Sequence, residues 1–357
     1  MADSARVLVA GAGIWGCTVA RRLAEAGRRV SVLERRQVVG GNVRCETDPE
    51  TGIEVHAYGS HIFHTHDPEV WAWVRRFTEF NGYQHKVLAR VGGRTYFLPL
   101  GLPLISKFFG VELAPGDVDG FLGAPGSGRR QAIFDAFFRG YTSKQWGCDP
   151  GAVDPSVIRR VPVRSSYDVN YFNDLWQGIP SEGYNRFFER LLDHPNIEVT
   201  CGVDFTLADC RAATCPVYYS GPLDRLFGYC HGELPWRSLR FELECLPCRD
   251  FQGTAVVNYP EPTVPYTRIH EFKHYHPERR EVMEQPRTLV MREFPQAWRR
   301  GEEPYYPIKS RESDLILAKY VQETQAFPQL IVGGRLGGYR YLDMDQAVAD
   351  ALARTKK

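Results

Sequence analysis

Arg6-Val7-Leu8-Val9-Ala10-Gly11-Ala12-Gly13-Ile14-Trp15-Gly16, with Glu34 closing the next apolar run, is the stretch that decides the fold. Val7, Leu8 and Val9 form a short, continuous apolar run, the mark of a strand buried on both faces. Gly11, Gly13 and Gly16 follow at the G-x-G-x-x-G spacing. Gly11 permits a sharp turn, Gly13 lets a pyrophosphate approach the backbone, and Gly16 lets helix and strand pack closely. A helix from about Ile14 to Ala26 then aims free N–H groups and its positive dipole end at the phosphates. Val30–Leu33 makes a second strand. Glu34 stands where a carboxylate accepts ribose hydroxyls, which disfavours the 2′-phosphate of NADP.

Arg35-Arg36-Gln37-Val38-Val39-Gly40-Gly41-Asn42 refines the cofactor. A basic pair after the acid, then two glycines, suits FAD enzymes in which a second glycine pair passes close to the pyrophosphate. FAD is therefore expected over NAD, with Arg35, Gly41 and Asn42 among its contacts.

The 357 residues are 43% hydrophobic and 13% aromatic, enough for two or three structural units with sizeable cores. A formal net charge of +1 provides no global field for nucleic acid or an anionic membrane. No signal pattern stands at the N-terminus and no apolar run approaches the ~20 residues of a membrane span, so a cytoplasmic protein is expected. The nine cysteines are odd in number and scattered, which suits reduced thiols. Cys245 and Cys248 have C-x-x-C spacing but no second ligand pair, and are read as a plain turn. His61, His64 and His66 cluster without a nearby Glu or Cys; no metal is expected, and a place near the cofactor is.

Along the chain, Asp67–Phe80 has helical periodicity with Asp67 or Thr65 as cap. Gly92-Gly93 joins strands around Lys86–Ala89 and Thr95–Leu98. Pro115–Gly128 reads as loop and Gln131–Phe138 as helix. Phe137-Phe138-Arg139-Gly140-Tyr141-Thr142-Ser143-Lys144-Gln145-Trp146-Gly147 is dense in aromatics and donors, as a platform for a stacked nucleobase would be. Arg159, Arg160 and Arg164 with Tyr167, Tyr171 and Trp176 could clamp a diphosphate, because arginine offers a fixed fork of donors. Gly183–Leu192 is an amphipathic helix and Ile197–Cys201 a strand. Val217–Gly221 and Leu330–Arg335 both run from strand into glycine, as though rejoining the first sheet.

With these pieces assembled, the chain resembles the UDP-galactopyranose mutase family of flavoenzymes over nearly its whole length. Six motifs carry the resemblance in order: Tyr58–Thr65, Gly140–Gly147, Arg160–Arg164, Val264–Arg268, Glu303–Pro307 and Gly333–Leu336. It implies an α/β protein in which a Rossmann-like FAD-binding domain carries an inserted small helical domain and an antiparallel-sheet domain. The implied division is a discontinuous FAD-binding domain (1–80, 205–235 and 325–357), a small helical domain (98–150) and a sheet and substrate domain (81–97, 151–204 and 236–324) with a mobile loop at 159–176.

The implied activity is interconversion of UDP-galactopyranose and UDP-galactofuranose. Reduced flavin N5 forms a covalent adduct with the sugar, and NAD(P)H or a flavin reductase supplies the electrons. By position, Phe137, Tyr141, Thr142 and Trp146 resemble the uridine site. Arg164, Arg268, Tyr306 and Tyr341 resemble the diphosphate contacts, Arg237 lies beside the pocket, and Tyr171 joins the substrate residues. Arg335, Asp343 and His64 fall near flavin and sugar, with His61, Gly334 and Met344 also on the cofactor side. Arg164, Arg268, His64 and Arg335 are the implied catalytic set. No nucleic acid or membrane partner is implied.

The chain departs from the family pattern at three places. His85 stands where bacterial members have asparagine near the sugar, and Trp176 replaces a tyrosine able to reach the diphosphate. The region from Leu98 to Tyr141, which serves dimer contacts in bacterial members, is shortened, which bears on whether the chain is a homodimer. Two alternatives stay open: the same mutase chemistry on another nucleotide sugar (6-deoxy, N-acetylamino or pentose), or a redox flavoenzyme of the amine-oxidase type.

Overall fold

The computed structural model describes residues 6–149 and 163–356. The expected loop residues Arg159 to Pro162 lie outside that range.

The apolar run Arg6–Ala10 is the central strand of a five-stranded, all-parallel sheet. The order across it is Leu330–Val332, Val217–Tyr219, Arg6–Ala10, Arg29–Glu34 and Ile197–Cys201. Helix Ile14–Glu25 returns the chain from the first to the second strand and packs against the last helix, Met344–Arg354. The alternation of Val7, Val9, Val30 and Val32, all buried, sets the core beneath it. Distant segments of chain thus close one sheet, because a parallel neighbour requires a crossover and not a hairpin.

Ile197–Cys201, expected with the substrate domain, instead forms the edge of this sheet, in register with Arg29–Glu34 from Val30↔Ile197 to Glu34↔Cys201. The preceding amphipathic helix Gly183–Leu192 buries Tyr184, Phe187, Phe188 and Leu191 and packs on Ile14–Glu25, which delivers the strand there.

The second sheet has seven strands in the order Tyr306–Pro307, Trp236–Leu246, Thr288–Ala297, Arg268–Glu271, Val256–Asn258, Val87–Val91 and Arg94–Leu98. It is antiparallel at every junction but one: Val256–Asn258 and Val87–Val91 run parallel, so the sheet is mixed. The hairpin turn at Gly92-Gly93 has positive φ at both glycines, as a two-residue turn between twisted strands demands.

Two helical expectations change. The helix from Asp67 stops at Val74, and the chain then turns so that Phe80 bridges Pro180. Asp67 caps it, accepting from Glu69 N and Val70 N. Pro115–Gly128, expected as loop, contains a short helix, Val118–Gly123, anchored by buried Val118 and Leu122. Among the described residues no helix is long and apolar enough to cross a membrane.

Candidate functional site

The dinucleotide end is built by glycine. Gly11 has φ +105°, and a Cβ on it would lie 2.2 Å from Ser220 Oγ; one on Gly16 would lie 1.9 Å from Gly11 O. Gly41, at φ +56°, would place a Cβ 2.9 Å from Gly13 Cα. Only bare backbone fits in this corner, and it leaves the first turn of helix Ile14–Glu25 with no acidic residue and no side-chain cap. The corner opens on a cavity of about 360 Å³ lined by Gly11, Gly13, Glu34, Arg35, Gly41, Asn42, His61, Gly334, Arg335, Asp343 and Met344 among others. All the expected cofactor residues except Gly16 line it; Gly16 lies behind, against the first turn.

Glu34 has a second task. Its Oε2 accepts the Ala12 amide at 2.7 Å and its Oε1 the Arg36 amide at 2.8 Å, so the carboxylate straps the glycine turn to the second strand. A carboxylate has about four acceptor sites, so it retains capacity for ribose hydroxyls. Arg35 and Arg36 both end on Glu303, at 2.5 and 2.8 Å, and Arg36 also bonds Asn42 and lies over the Tyr58 ring. Burial raises the Glu303 carboxyl, but the two arginines outweigh it and hold its pKa low. Glu303 opens one of the six motifs but was given no role there, and Asp204, another lining residue, was not singled out, because their roles depend on long-range pairing.

From this cavity the second cluster begins at Arg335. Its Nε donates to Leu342 O at 2.9 Å, and its guanidinium lies 4.8 Å from the Tyr341 ring centre and 6.0 Å from that of Tyr306. Tyr306 stacks on Tyr341 at 5.8 Å and faces Trp146 at 6.5 Å. Helix Gly140–Trp146 brings Tyr141 and Thr142 to the same region. Gly140 is obligatory there, since a Cβ would sit 2.2 Å from Pro260 O. Lys144 fixes that approach: its ammonium is cradled by four carbonyls, those of Tyr259, Glu261, Val264 and Tyr266. Arg268, the next charged residue, donates to the Tyr141 hydroxyl and pairs with Glu293 at 3.5 Å. Burial pushes the Tyr141 phenol up to about 12, so it stays a neutral hydroxyl.

Several expected substrate residues turn out otherwise placed. Phe137 is 4% exposed and packs edge-on to Tyr96 and Phe108, in the core of the helical region. The π-helical turn Phe134–Arg139 rotates it inward and Tyr141 out. Arg237 is buried beneath helix Gly140–Trp146, donating to Gln145 O at 2.8 Å and Lys144 O at 3.1 Å; its cation caps the negative helix end. Trp176 stacks on Trp71 at 5.9 Å and 9°. It pairs with Thr65, and strand alternation puts Gln177, paired with His64, on the opposite face. Arg164 donates to the carbonyls of Asn170 and Tyr171, which binds it to its own loop.

Around the loop that Arg164 holds lies a stack of rings. Phe172 lies 3.7 Å from His64 and 5.4 Å from His85, both near parallel, and Tyr171 meets His85 edge-on. Asp174 receives both His64 Nδ1, at 2.8 Å, and His66 Nδ1, at 3.0 Å. His85 is 5% exposed, and its Nδ1 meets the Tyr83 hydroxyl at 3.0 Å. Burial first, then Arg268, His270 and His64, hold its pKa down at about 3. It is therefore neutral, and in the tautomer in which Tyr83 donates to Nδ1, its Nε2–H has no partner among the described residues. Phe172, Asp174 and Tyr83 were not singled out from sequence; Tyr83-x-His85 alternation was the available signal.

Cys45, Glu54 and His56 gather three metal-capable groups in the interior. His56 Nδ1, however, accepts the His61 amide at 3.0 Å. The proton of the neutral ring then sits on Nε2, which has no hydrogen-bond partner among the described residues, and the observed task of His56 is to steady His61 at the cavity wall.

A dinucleotide corner on a parallel sheet, joined through one arginine to an arginine and tyrosine cluster on a second sheet, defines a Rossmann-type enzyme for a nucleotide-linked substrate. Comparison with known proteins gives the family. The UDP-galactopyranose mutase family model matches residues 136–341, and an NAD(P)-binding Rossmann-like domain matches 9–77. The chain is similar to a probable UDP-galactopyranose mutase of Klebsiella pneumoniae, 38% identical over 98% of this chain and 94% of that one. It is also similar to a dTDP-fucopyranose mutase of Escherichia coli, 36% identical over 97% and 96%. A crystal structure of reduced UDP-galactopyranose mutase shares the fold, with TM-score 0.72 and 18% identity over 99% of this chain and 95% of that one. The chain belongs to the UDP-galactopyranose mutase family, and is an isomerase of the pyranose/furanose mutase type.

Proposed function

We propose that the protein is an FAD-dependent mutase, active with reduced flavin, that interconverts UDP-galactopyranose and UDP-galactofuranose. The observation that carries this is the position of Arg335, which lines the dinucleotide cavity and at the same time lies over Tyr341 and beside Tyr306. Cofactor and substrate thus share one boundary residue. The glycine corner and the open N–H groups of helix Ile14–Glu25 fit a pyrophosphate, and Glu34 fits a ribose. Reduced flavin, when bound, supplies a nucleophile for the anomeric carbon without net redox change.

The chain's own residues do the rest. Tyr141, Thr142 and Trp146 hold the base. Arg268, with Tyr306 and Tyr341, stabilises the diphosphate as it separates from the sugar. His64, His85 and Tyr171 orient the ring. Arg164 orders the loop carrying Tyr171 and is read, by its motif, as a diphosphate contact.

A second reading keeps the chemistry and changes the sugar. His85 supplies a neutral donor at the sugar side, and similarity to the dTDP-fucopyranose mutase is nearly as high as to the UDP-galactopyranose enzyme. The test is anaerobic incubation of dithionite-reduced protein with UDP-galactofuranose, followed by chromatography against an oxidised control. Conversion only when reduced supports the reading. Failure with bound, reduced flavin, but conversion of a deoxy or thymidine-linked sugar, supports the second. Flavin reduction by substrate alone would show a redox enzyme.

A further inference from the structure

Behind Arg268 lies a buried chain of polar groups. Arg268 and His270 share one face of strand Arg268–Glu271, being two residues apart, and Glu293 sits directly opposite Arg268 on the neighbouring strand. Glu293 Oε1 faces Arg268 Nε at 3.5 Å, and Oε2 meets His270 Nε2 at 3.1 Å. On its other side, His270 Nδ1 bonds Ser60 Oγ, which bonds the Tyr275 hydroxyl. His270 and Glu293 are almost entirely excluded from solvent.

The donors and acceptors permit one consistent assignment. Glu293 pairs with an arginine and is an ionised acceptor, so His270 Nε2 must carry the proton. Nδ1 is then an acceptor, Ser60 O–H donates to it, and Tyr275 O–H donates to Ser60. Burial alone would raise the Glu293 carboxyl, but the Arg268 charge and the His270 hydrogen bond more than offset it and keep its pKa low. Burial likewise lowers His270, which stays neutral.

The geometry points to His270 and Ser60 as positioning residues for substrate binding: Ser60 sets the imidazole tautomer, His270 anchors one oxygen of Glu293, and the other oxygen aims Arg268. Without the His270 donor, Glu293 has a desolvated oxygen unsatisfied and turns toward whatever donor it can reach, carrying Arg268 with it. Ser60 adjoins His61 at the cofactor cavity, so the chain also ties the cofactor-side loop to the substrate-side cation. This rests on the reading of Arg268 as a diphosphate contact.

The test uses the flavin-loaded full chain with His270→Gln, His270→Leu, Ser60→Ala and the Ser60→Ala/His270→Gln double variant. KM and kcat for UDP-galactofuranose are measured on reduced enzyme, and UDP affinity is measured by calorimetry. His270→Leu should weaken UDP binding and raise KM about tenfold. His270→Gln, whose amide nitrogen can donate to Glu293, should recover most of that. Ser60→Ala should raise KM severalfold with histidine present but add nothing in the glutamine background, which has no tautomer to set.

UDP binding in His270→Leu equal to the parent, or the same Ser60→Ala cost in both backgrounds, overturns the inference. If His270→Leu does not fold, the Ser60→Ala cycle decides alone. A parent inactive on every sugar sinks the functional reading, whereas the UDP titrations still report whether Arg268 is held by this chain.

Discussion

Glu34 accepts the backbone amide of Ala12 at 2.7 Å, so the residue at the end of the second strand ties down the turn at the end of the first. The same carboxylate accepts the Arg36 amide and lines the dinucleotide cavity. Glu34→Gln keeps the shape but removes the charge from two hydrogen bonds, and one amide hydrogen then opposes a donor. A loss on the order of 2 kcal/mol is expected. Thermal unfolding and the flavin-to-protein absorbance ratio check this: both should fall together. A stable variant that retains full flavin would contradict the strap.

Gly16→Ala should do more damage than Gly13→Ala. A Cβ on Gly16 meets Gly11 O at 1.9 Å, whereas one on Gly13 has nothing nearer than 3.9 Å. Gly16→Ala must displace the strand-to-helix turn, so the purified protein should be flavin-free or unstable. Gly13→Ala should fold at near-parental melting temperature and lose mainly flavin affinity. Equal behaviour of the two would refute the division between packing and approach.

Lys144→Met removes the ammonium from its four carbonyls. Burial lowers the pKa of this lysine to about 8, so it remains protonated at neutral pH. The Met variant should free the segment from Tyr259 to Tyr266, raising hydrogen exchange there and weakening UDP binding through Arg268, roughly tenfold or more. Unchanged exchange in that segment would disprove the staple.

Trp176→Phe and His85→Asn should separate. Trp176 packs on Trp71, on the strand face away from His64, so its replacement should leave KM for the sugar nucleotide within about twofold and cost about 1–2 kcal/mol of stability. His85→Asn should shift relative kcat/KM among galactose, fucose and other sugar nucleotides while leaving UDP affinity alone. If Trp176→Phe is the one that changes sugar preference, the assignment is reversed.

Acid should destabilise the fold well before most carboxylates titrate. Burial, with smaller charge contributions, depresses His56 and His85 to about 3 and His61 to about 4. Between those values and the ordinary ~6.5 the unfolded chain binds more protons than the folded one, so stability is full above ~6.5 and declines as pH falls. Melting temperature should drop steadily from about pH 6 downward, and a flat profile to pH 4 would argue that these rings are solvated.

Much of the parallel sheet was legible in the sequence. Glycine spacing, apolar runs and a terminal acid are local signals, and steric need makes them almost unambiguous: no other residue fits at Gly11 or Gly16. The six motifs likewise reached the family, the turn at Gly92-Gly93 followed from backbone chemistry alone, and the structure chose Asp67 over Thr65 as the helix cap.

What local pattern does not contain is the partner of a strand or the direction of a ring. Ile197–Cys201 reads as a strand anywhere, and only the crossover through helix Gly183–Leu192 sends it to the edge beside Glu34. Phe137 and Tyr141 stand four residues apart in one aromatic run, but a π-helical turn between them sends one into the core and the other to Arg268. Arg237 and Arg268 are equally basic in the sequence, and both their strands pair with Thr288–Ala297, but Arg237 stands opposite Ala297 at its end and caps a helix, whereas Arg268 stands opposite Glu293 and meets Tyr141. Sequence alone determined the dinucleotide corner, since its constraints act within a few residues. The tertiary structure decided where each arginine, histidine and tryptophan points, since those choices depend on groups brought together from different strands and helices.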